Sequence, residues 1–459
     1  MADISKMKVL MVYRHEQPLD KMRLALRNHI ETLSHLPEKY EVTYYNAYHD
    51  APVISFFHPE KTNVYSVPDC LLNKDFDVII FHDTFLGWRW WGSDFYEIKK
   101  RFEWLSRINA IKIALPQDEY DHAEVLDEWL FTWNIDAVFT VCGLKNSDIL
   151  FPLTKNSAQI HESLTGYINT IYTNPLQSCS FPPHSDRPYD IVYRSQQLPY
   201  SFGSHGQLKH LIADVVSEAA IKHQLSCDIS NDKTKTILGS KWLDFMASGR
   251  CTIGTESGSS VIDFRGEKQA LIRSLLVRDP TLSFEDVSAC FDPDWDSTPI
   301  TAISPRHLEA VITKTCQILL EGEYNNVLKP NIHYISLKKD YSNLDDILEL
   351  IQDHDYTSRM ADRAYNDIAL SGLYDYASFA RQINEVIEEI GNIKKERECI
   401  NHMPKNDKNP IEVLEREIIA LRHENARLAA KLQEAQYSGM TGVIRYLKML
   451  TQQFIEKKF

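Results

Sequence analysis

Three stretches in the second half of the 459-residue sequence combine charge, glycine and hydroxyl side chains at spacings suited to an anionic ligand. The first, RSQQLPYSFGSHGQLK, has Arg194 at one end, Lys209 at the other, and Gly203 and Gly206 between them. Backbone N–H groups in a glycine loop and at a helix start attract phosphate, and the two cations would neutralise a diphosphate. The second, GTESGSSVIDFRGE, offers hydroxyls and unobstructed amides at Ser257, Gly258, Ser259 and Ser260, while Glu256 can accept hydrogen bonds from sugar hydroxyls. The third, ISPRHLEAVITKTCQILLEGEY, has Ser304 as a cap, Pro305 at the first helical position and Glu309 in the next turn. A carboxylate there can hold a ribose diol, with Arg306 facing the same cleft. Each stretch also has a plainer reading, as a loop, a turn, and a carboxylate compensating a helix dipole.

The first half carries a different chemistry. His15, the His82-Asp83 pair and the Asp118-Glu119 pair all fall at the carboxyl ends of predicted strands, so they can converge on one cleft. A carboxylate or histidine there can take a proton from a hydroxyl. Asp118 is the first candidate and Asp83 the next, with Glu119 and His82 beside them; the alternative is that all four cap following helices. No DxD metal signature stands out, so no bound metal ion and no resident cofactor are expected.

The elements that must position these residues are legible as an alternation. KVLMVY, FDVIIFHD, IKIALPQDE and IDAVFTV read as strands, with helices expected over 19–33, 93–109 and 121–133. Continuous apolar runs of strand length suit parallel strands buried on both faces. The Pro- and Ser-rich segment 174–187 reads as a linker. A second series follows, with strands at YDIVYR, 250–254 and IHYISL and helices over 207–222 and 307–321. The sequence thus predicts an α/β chain of two Rossmann-like, doubly wound parallel-sheet domains, 1–175 and 186–375, whose strand ends face a ligand cleft. The pattern over 345–390 predicts helices that close the second domain, the last of them over 376–400.

In this order the motifs QDEY (117–120), LTGY (164–167), DIVYR (190–194), ESGSS (256–260) and SPRHLEA (304–310) resemble those of bacterial GT-B glycosyltransferases, over roughly residues 7–390. The resemblance implies transfer of a sugar from a nucleotide-sugar co-substrate to a glycan or lipid-linked glycan acceptor of the cell surface, such as lipopolysaccharide, capsule or exopolysaccharide. On it, Arg194 and Lys209 match the basic pair on the donor diphosphate and Glu309 the glutamate on the ribose. The chain departs from the family's pair of glutamates eight apart, because Thr301 stands eight before Glu309. Glu256 could substitute from its own loop, with 264–303 as an insertion. A nucleotide-sugar epimerase of the same fold and a non-catalytic nucleotide-binding scaffold are the alternatives.

A formal charge of −14 argues against a nucleic-acid partner. The eight cysteines are scattered, without a zinc-like spacing, and read as reduced thiols. The apolar run near the N-terminus is too short for a signal-peptide core, so a cytoplasmic protein is expected, with any contact to the inner face of the plasma membrane peripheral. Heptads over 411–436 place Ile411, Ile418, Asn425 and Leu432 at a, and Leu414, Leu421, Leu428 and Ala435 at d. Such a pattern favours a parallel two-stranded coiled coil and hence a homodimer, with Glu417 meeting Arg422 of the partner; the alternative is a helix docked on its own globule. Residues 439–459 form a basic amphipathic stripe suited equally to an anionic membrane surface or to a dimer mate.

Overall fold

The computed structural model describes residues 6–48, 68, 71, 74–92, 94–174, 181–400, 414, 416–423 and 425. Two all-parallel sheets dominate. The first has six strands in the order β2-β1-β3-β4-β5-β6: β1 Met7–Tyr13, β2 Tyr40–Asn46, β3 Val78–His82, β4 Ile111–Leu115, β5 Ala137–Thr140 and β6 Gln159–Glu162. Its inner strands are mostly apolar because both faces are covered. Leu10, Val12, Ile79 and Phe81 belong to one core, while Val9, Met11, Val78 and Ile80 belong to the core on the other face. The edge strands β2 and β6 carry polar residues and leave no such run, which is why the sequence does not announce them.

The second sheet has the order β13-β12-β9-β7-β8, from β7 Tyr189–Arg194, β8 Cys227–Ser230, β9 Gly249–Gly254, β12 Cys316–Leu320 and β13 Ile335–Leu337. One expectation fails here: the helix over 307–321 stops early. It runs Pro305–Ile312, Lys314 adopts a left-handed φ of 50°, and CQILL becomes β12 between β9 and β13. Five consecutive buried side chains need cover on all sides, which a strand between two parallel neighbours obtains and a surface helix does not. The helices expected over 19–33 and 93–109 are likewise broken into shorter turns, at residues 22–23 and 102–103.

Between β10 (Ser257–Ser259) and β11 (Ile300–Ala302), which pair antiparallel, the chain inserts helices Glu267–Arg278 and Phe284–Ser288 over a small core of Val261, Ile272, Val287 and Trp295. This insertion stitches the domains together. Asp263 N–H donates to Tyr120 O at 2.9 Å, Ala123 N–H to Asp263 O at 3.1 Å, and Arg265 pairs with Glu124 at 2.7 Å and with buried Glu128 at 2.6 Å.

The linker also ends in a lock. Arg187 is buried and donates to Gly249 O at 2.8 Å, Thr315 Oγ1 at 3.0 Å and Thr313 O at 2.6 Å. The last long helix, Tyr376–Ile400, leaves the second sheet and crosses to the first, where Phe379, Ile383, Val386, Ile387 and Ile390 complete a core. Of the tail, residues 416–423 form a helix docked on the first domain through Ile419, Arg416 on Phe131, and the His423–Glu128 pair at 2.8 Å. Arg422 meets Glu128 of its own body at 3.2 Å, while Leu414, Ile418 and Leu421 are 56%, 42% and 64% exposed. Residues 411–413, 415, 424 and 426–459, with most of the expected coiled coil and all of the basic stripe, lie outside the described residues.

Candidate active site

Arg194, Lys209, Arg306 and Glu309 come together around one cavity of about 300 Å³ at the strand ends of the second sheet. Trp242 forms part of its wall, and Arg23, Leu24 and Ala25 of the first domain close it from the far side. Arg194 ends β7. Its guanidinium lies 4.3 Å from the Phe245 ring and is held by Asp228 Oδ2 at 2.8 Å, so its charge is largely answered within the protein. Arg306 sits in the first turn of its helix, donates to Arg194 O at 3.0 Å and faces the Tyr193 and Trp242 rings. Lys209 lies along the helix Gly203–Lys222 and donates to Ser257 Oγ at 3.0 Å. Burial and the neighbouring Arg306 push its ammonium down to about 8, against the pull of Asp118. Glu309 accepts from Trp242 Nε1 at 2.7 Å, and burial raises its carboxyl.

Other residues of the three stretches stand elsewhere. Gly203 and Gly206 do not line the cavity. A Cβ on Gly203 would overlap Asp296 Oδ1 and Ser260 Oγ, and one on Gly206 would overlap the Phe202 side chain, so both glycines serve close packing. The first helical amides are already taken, Ser204 N–H by Asp296 Oδ2 at 2.8 Å and His205 N–H by Ser260 Oγ at 3.0 Å. A capped helix start of this kind has little left to offer a phosphate. Glu256 turns away from the cavity and accepts from Tyr324 N–H at 2.7 Å and Glu323 N–H at 3.2 Å, fixing the loop after β12. Ser259 Oγ donates to Val261 O at 2.8 Å, and Gly258 lets β10 approach Ile300 O. Of the ESGSS stretch, Ser257 is the residue that touches Lys209.

On the first domain Asp118 is the carboxylate whose electrostatic field reaches Lys209, though it does not line the cavity itself. It adopts a left-handed φ of 50° and accepts from Tyr120 Oη at 2.5 Å. Burial raises its carboxyl, with Tyr120, Arg89 and Lys209 opposing. Non-glycine residues in this backbone region are strained and concentrate at functional sites. Arg89, 1% exposed, imposes the shape by donating to Gln117 O and Asp118 O at 2.8 Å and to Asp121 O at 2.9 Å. Sequence alone does not single out Arg89, because a buried arginine that reads only carbonyls leaves no spacing signature.

Glu119 points into the domain instead. It accepts from Thr140 Oγ1, Val141 N–H and Cys142 Sγ, all at 2.9 Å, and so holds the end of β5. His82 is fully buried, its Nε2 2.9 Å from His29 Nδ1 and its Nδ1 2.6 Å from Asp83 Oδ1. Burial takes His29 down to about 3; Asp83, despite its own burial, is drawn below the usual carboxylate range by the His82 ring. His29, His82 and Asp83 are the one grouping of three potential metal donors among the described residues, and the two imidazoles already share a hydrogen bond. His15 sits on the loop after β1, where its N–H donates to Asn46 Oδ1 at 3.0 Å.

No family model matches the chain, and no curated protein does. Solved structures similar to it include sucrose-phosphate synthase from Thermosynechococcus elongatus, at 8% identity and a TM-score of 0.49 over 84% of this chain and all of that one. HepE of Anabaena, solved with UDP-glucose, is similar at 12% identity and a TM-score of 0.42, over 83% of this chain and all of HepE. TarM is similar at 10% identity and a TM-score of 0.41, over 68% of this chain; the chain spans about half the length of TarM, 54%.

Proposed function

We propose that the chain is a glycosyltransferase that moves a sugar from a nucleoside-diphosphate donor to the hydroxyl of a glycan acceptor, of the bacterial cell-surface type. The observation that carries this reading is the one cavity shared by Arg194, Lys209, Arg306 and Glu309, with the Asp118 carboxylate close enough to act electrostatically on Lys209. Lys209 and Arg306 bind the diphosphate, and because their charges are fixed before the reaction, they stabilise the negative charge that grows on the leaving phosphate. Glu309, oriented by Trp242, accepts from the ribose hydroxyls. Asp118 takes the proton of the acceptor hydroxyl in this reading, supported by the raised proton affinity that burial gives its carboxyl. No resident cofactor or metal ion enters these steps; the nucleotide-sugar is a co-substrate.

The unit has an acceptor-side domain over 1–175, a donor-side domain over 186–375 and the helix 376–400 that returns to the first. It works as a homodimer through a parallel coiled coil over 411–436, in the cytoplasm, with the stripe 439–459 available to the inner membrane face. Among the described residues no helix is long and apolar enough to cross a membrane. A thermal-shift panel of UDP-, GDP-, CMP- and dTDP-sugars tests the reading. One nucleotide class should stabilise the protein, and Lys209→Ala should abolish the shift; a shift that survives in that variant removes Lys209 from the donor site.

A further inference from the structure

Away from the donor cavity, the short helical stretch after β3 carries a cluster that the chemistry above does not use. Trp91 is 50% exposed, whereas Trp88 beside it is 3% exposed, with ring centroids 4.9 Å apart and planes inclined at 67°. Arg14, just past the end of β1, lays its guanidinium 4.4 Å from the Trp88 ring and 5.6 Å from that of Trp91. Neither a buried guanidinium nitrogen of Arg14, Nη1, nor Trp88 Nε1 has a hydrogen-bond partner among the described residues. Asp83 acts electrostatically on Arg14, and its Oδ1 lies 2.6 Å from His82 Nδ1.

Each feature alone is unfavourable. A large exposed indole keeps apolar surface in water, and buried N–H groups without acceptors forfeit their hydration. One ligand type suits the exposed indole and the part-exposed Arg14 and Asp83 side chains beside it together. A pyranose has an apolar C–H face that lies on an indole, and an edge of hydroxyls that both donate and accept. We infer that Trp91, Arg14 and Asp83 form a subsite for a pyranose ring of the acceptor, stacked on Trp91, with one hydroxyl accepting from Arg14 and another donating to Asp83.

This subsite rests on the transfer reading for its role, and its position agrees with that role. Arg89, two residues before Trp91, turns inward to hold the Asp118 loop, and it feels both Asp83 and Asp118. One short stretch therefore ties the aromatic platform to the proposed base. The local backbone supports the placement: Gly87 lies against the Trp90 ring with no room for a Cβ, and Gly92 ends the stretch directly after Trp91.

Saturation-transfer NMR on the full chain, without nucleotide, tests the inference with methyl glucoside, galactoside, mannoside and N-acetylglucosaminide as probes. At least one should bind saturably through its ring C–H protons. Trp91→Ala should weaken it by about tenfold or more, and Trp91→Phe should retain most of the affinity. Arg14→Met and Asp83→Asn should weaken it too, with melting followed to show that the variants are folded. Because Trp91 is a surface residue, its replacement leaves the fold intact. The nucleotide-sugar thermal shift should be unchanged in Trp91→Ala, so the two readings fail separately: a lost donor shift in the wild type with saccharide binding intact overturns the transfer reading alone. No saturable binding by any probe, or equal binding in Trp91→Ala, overturns the subsite.

Discussion

Lys209 of the second domain and Asp118 of the first lie within each other's electrostatic reach, each shifting the other's protonation: Asp118 supports the lysine's charge, and Lys209 tempers the rise of the aspartate's carboxyl. A charge pair split between two domains is complete only when they are apposed. The proposed chemistry therefore depends on the contacts that hold them together.

Donor binding should weaken as pH rises through about 8. The Lys209 value lies below that of a free lysine, so the folded protein loses this ammonium earlier than an exposed side chain would. A diphosphate prefers the charged form, so binding near and above pH 8 should take up a proton. Calorimetry in buffers of different ionisation enthalpy reads that uptake directly, and it should vanish in Lys209→Arg.

Asp118→Asn should lower kcat by about 10²- to 10⁴-fold while donor affinity stays near that of the wild type. Activity should fall as pH drops through the Asp118 value, which burial has raised. The Tyr120 hydroxyl opposes that rise, so Tyr120→Phe should move the acid limb of the pH–rate profile to higher pH. Unchanged acid limbs in both variants would assign the proton transfer to another group.

Arg265→Ala should destabilise the protein by roughly 2–4 kcal/mol in denaturant unfolding, because Glu128 is buried and loses its 2.6 Å partner. Arg422 and His423 of the tail helix also meet Glu128, at 3.2 and 2.8 Å, and should carry part of the load. The cost of Arg265→Ala should therefore be larger after the tail is removed. Gly266→Ala should also destabilise, since Gly266 adopts a φ of 83° and its Cβ would overlap the His122 ring.

Sedimentation should show a dimer that becomes a monomer when residues 411–459 are deleted. Leu414→Asp with Leu421→Asp should have the same effect with little change in the melting of the α/β body, because both side chains are exposed on the docked helix. Ile419→Asp, on the buried side, should release the helix from the body. A monomeric wild type would refute the coiled-coil reading.

The amino-acid sequence by itself determined what depends on local pattern. The runs at β1, β3, β4 and β7 have apolar residues on both faces, so they could be read without knowing their neighbours. Arg194 ends a strand, and Lys209, Arg306 and Glu309 stand within the first two turns of their helices, which in parallel sheets share one side of the fold. Tertiary structure decided what depends on distant partners. Edge strands β2, β6 and β8 look polar until a sheet supplies hydrogen bonds, and CQILL reads as the end of a helix until β9 and β13 flank it. Gly203 resembles a phosphate loop until Asp296, 93 positions on, takes the amide beside it. Glu119 and Asp118 are adjacent in sequence, yet one is buried under three hydrogen bonds and the other, set apart by a left-handed φ and the carbonyl grip of Arg89, accepts from Tyr120 and reaches Lys209 electrostatically. Residue type and spacing specify which chemistry is available; burial and long-range hydrogen bonding select the side chains left free to perform it.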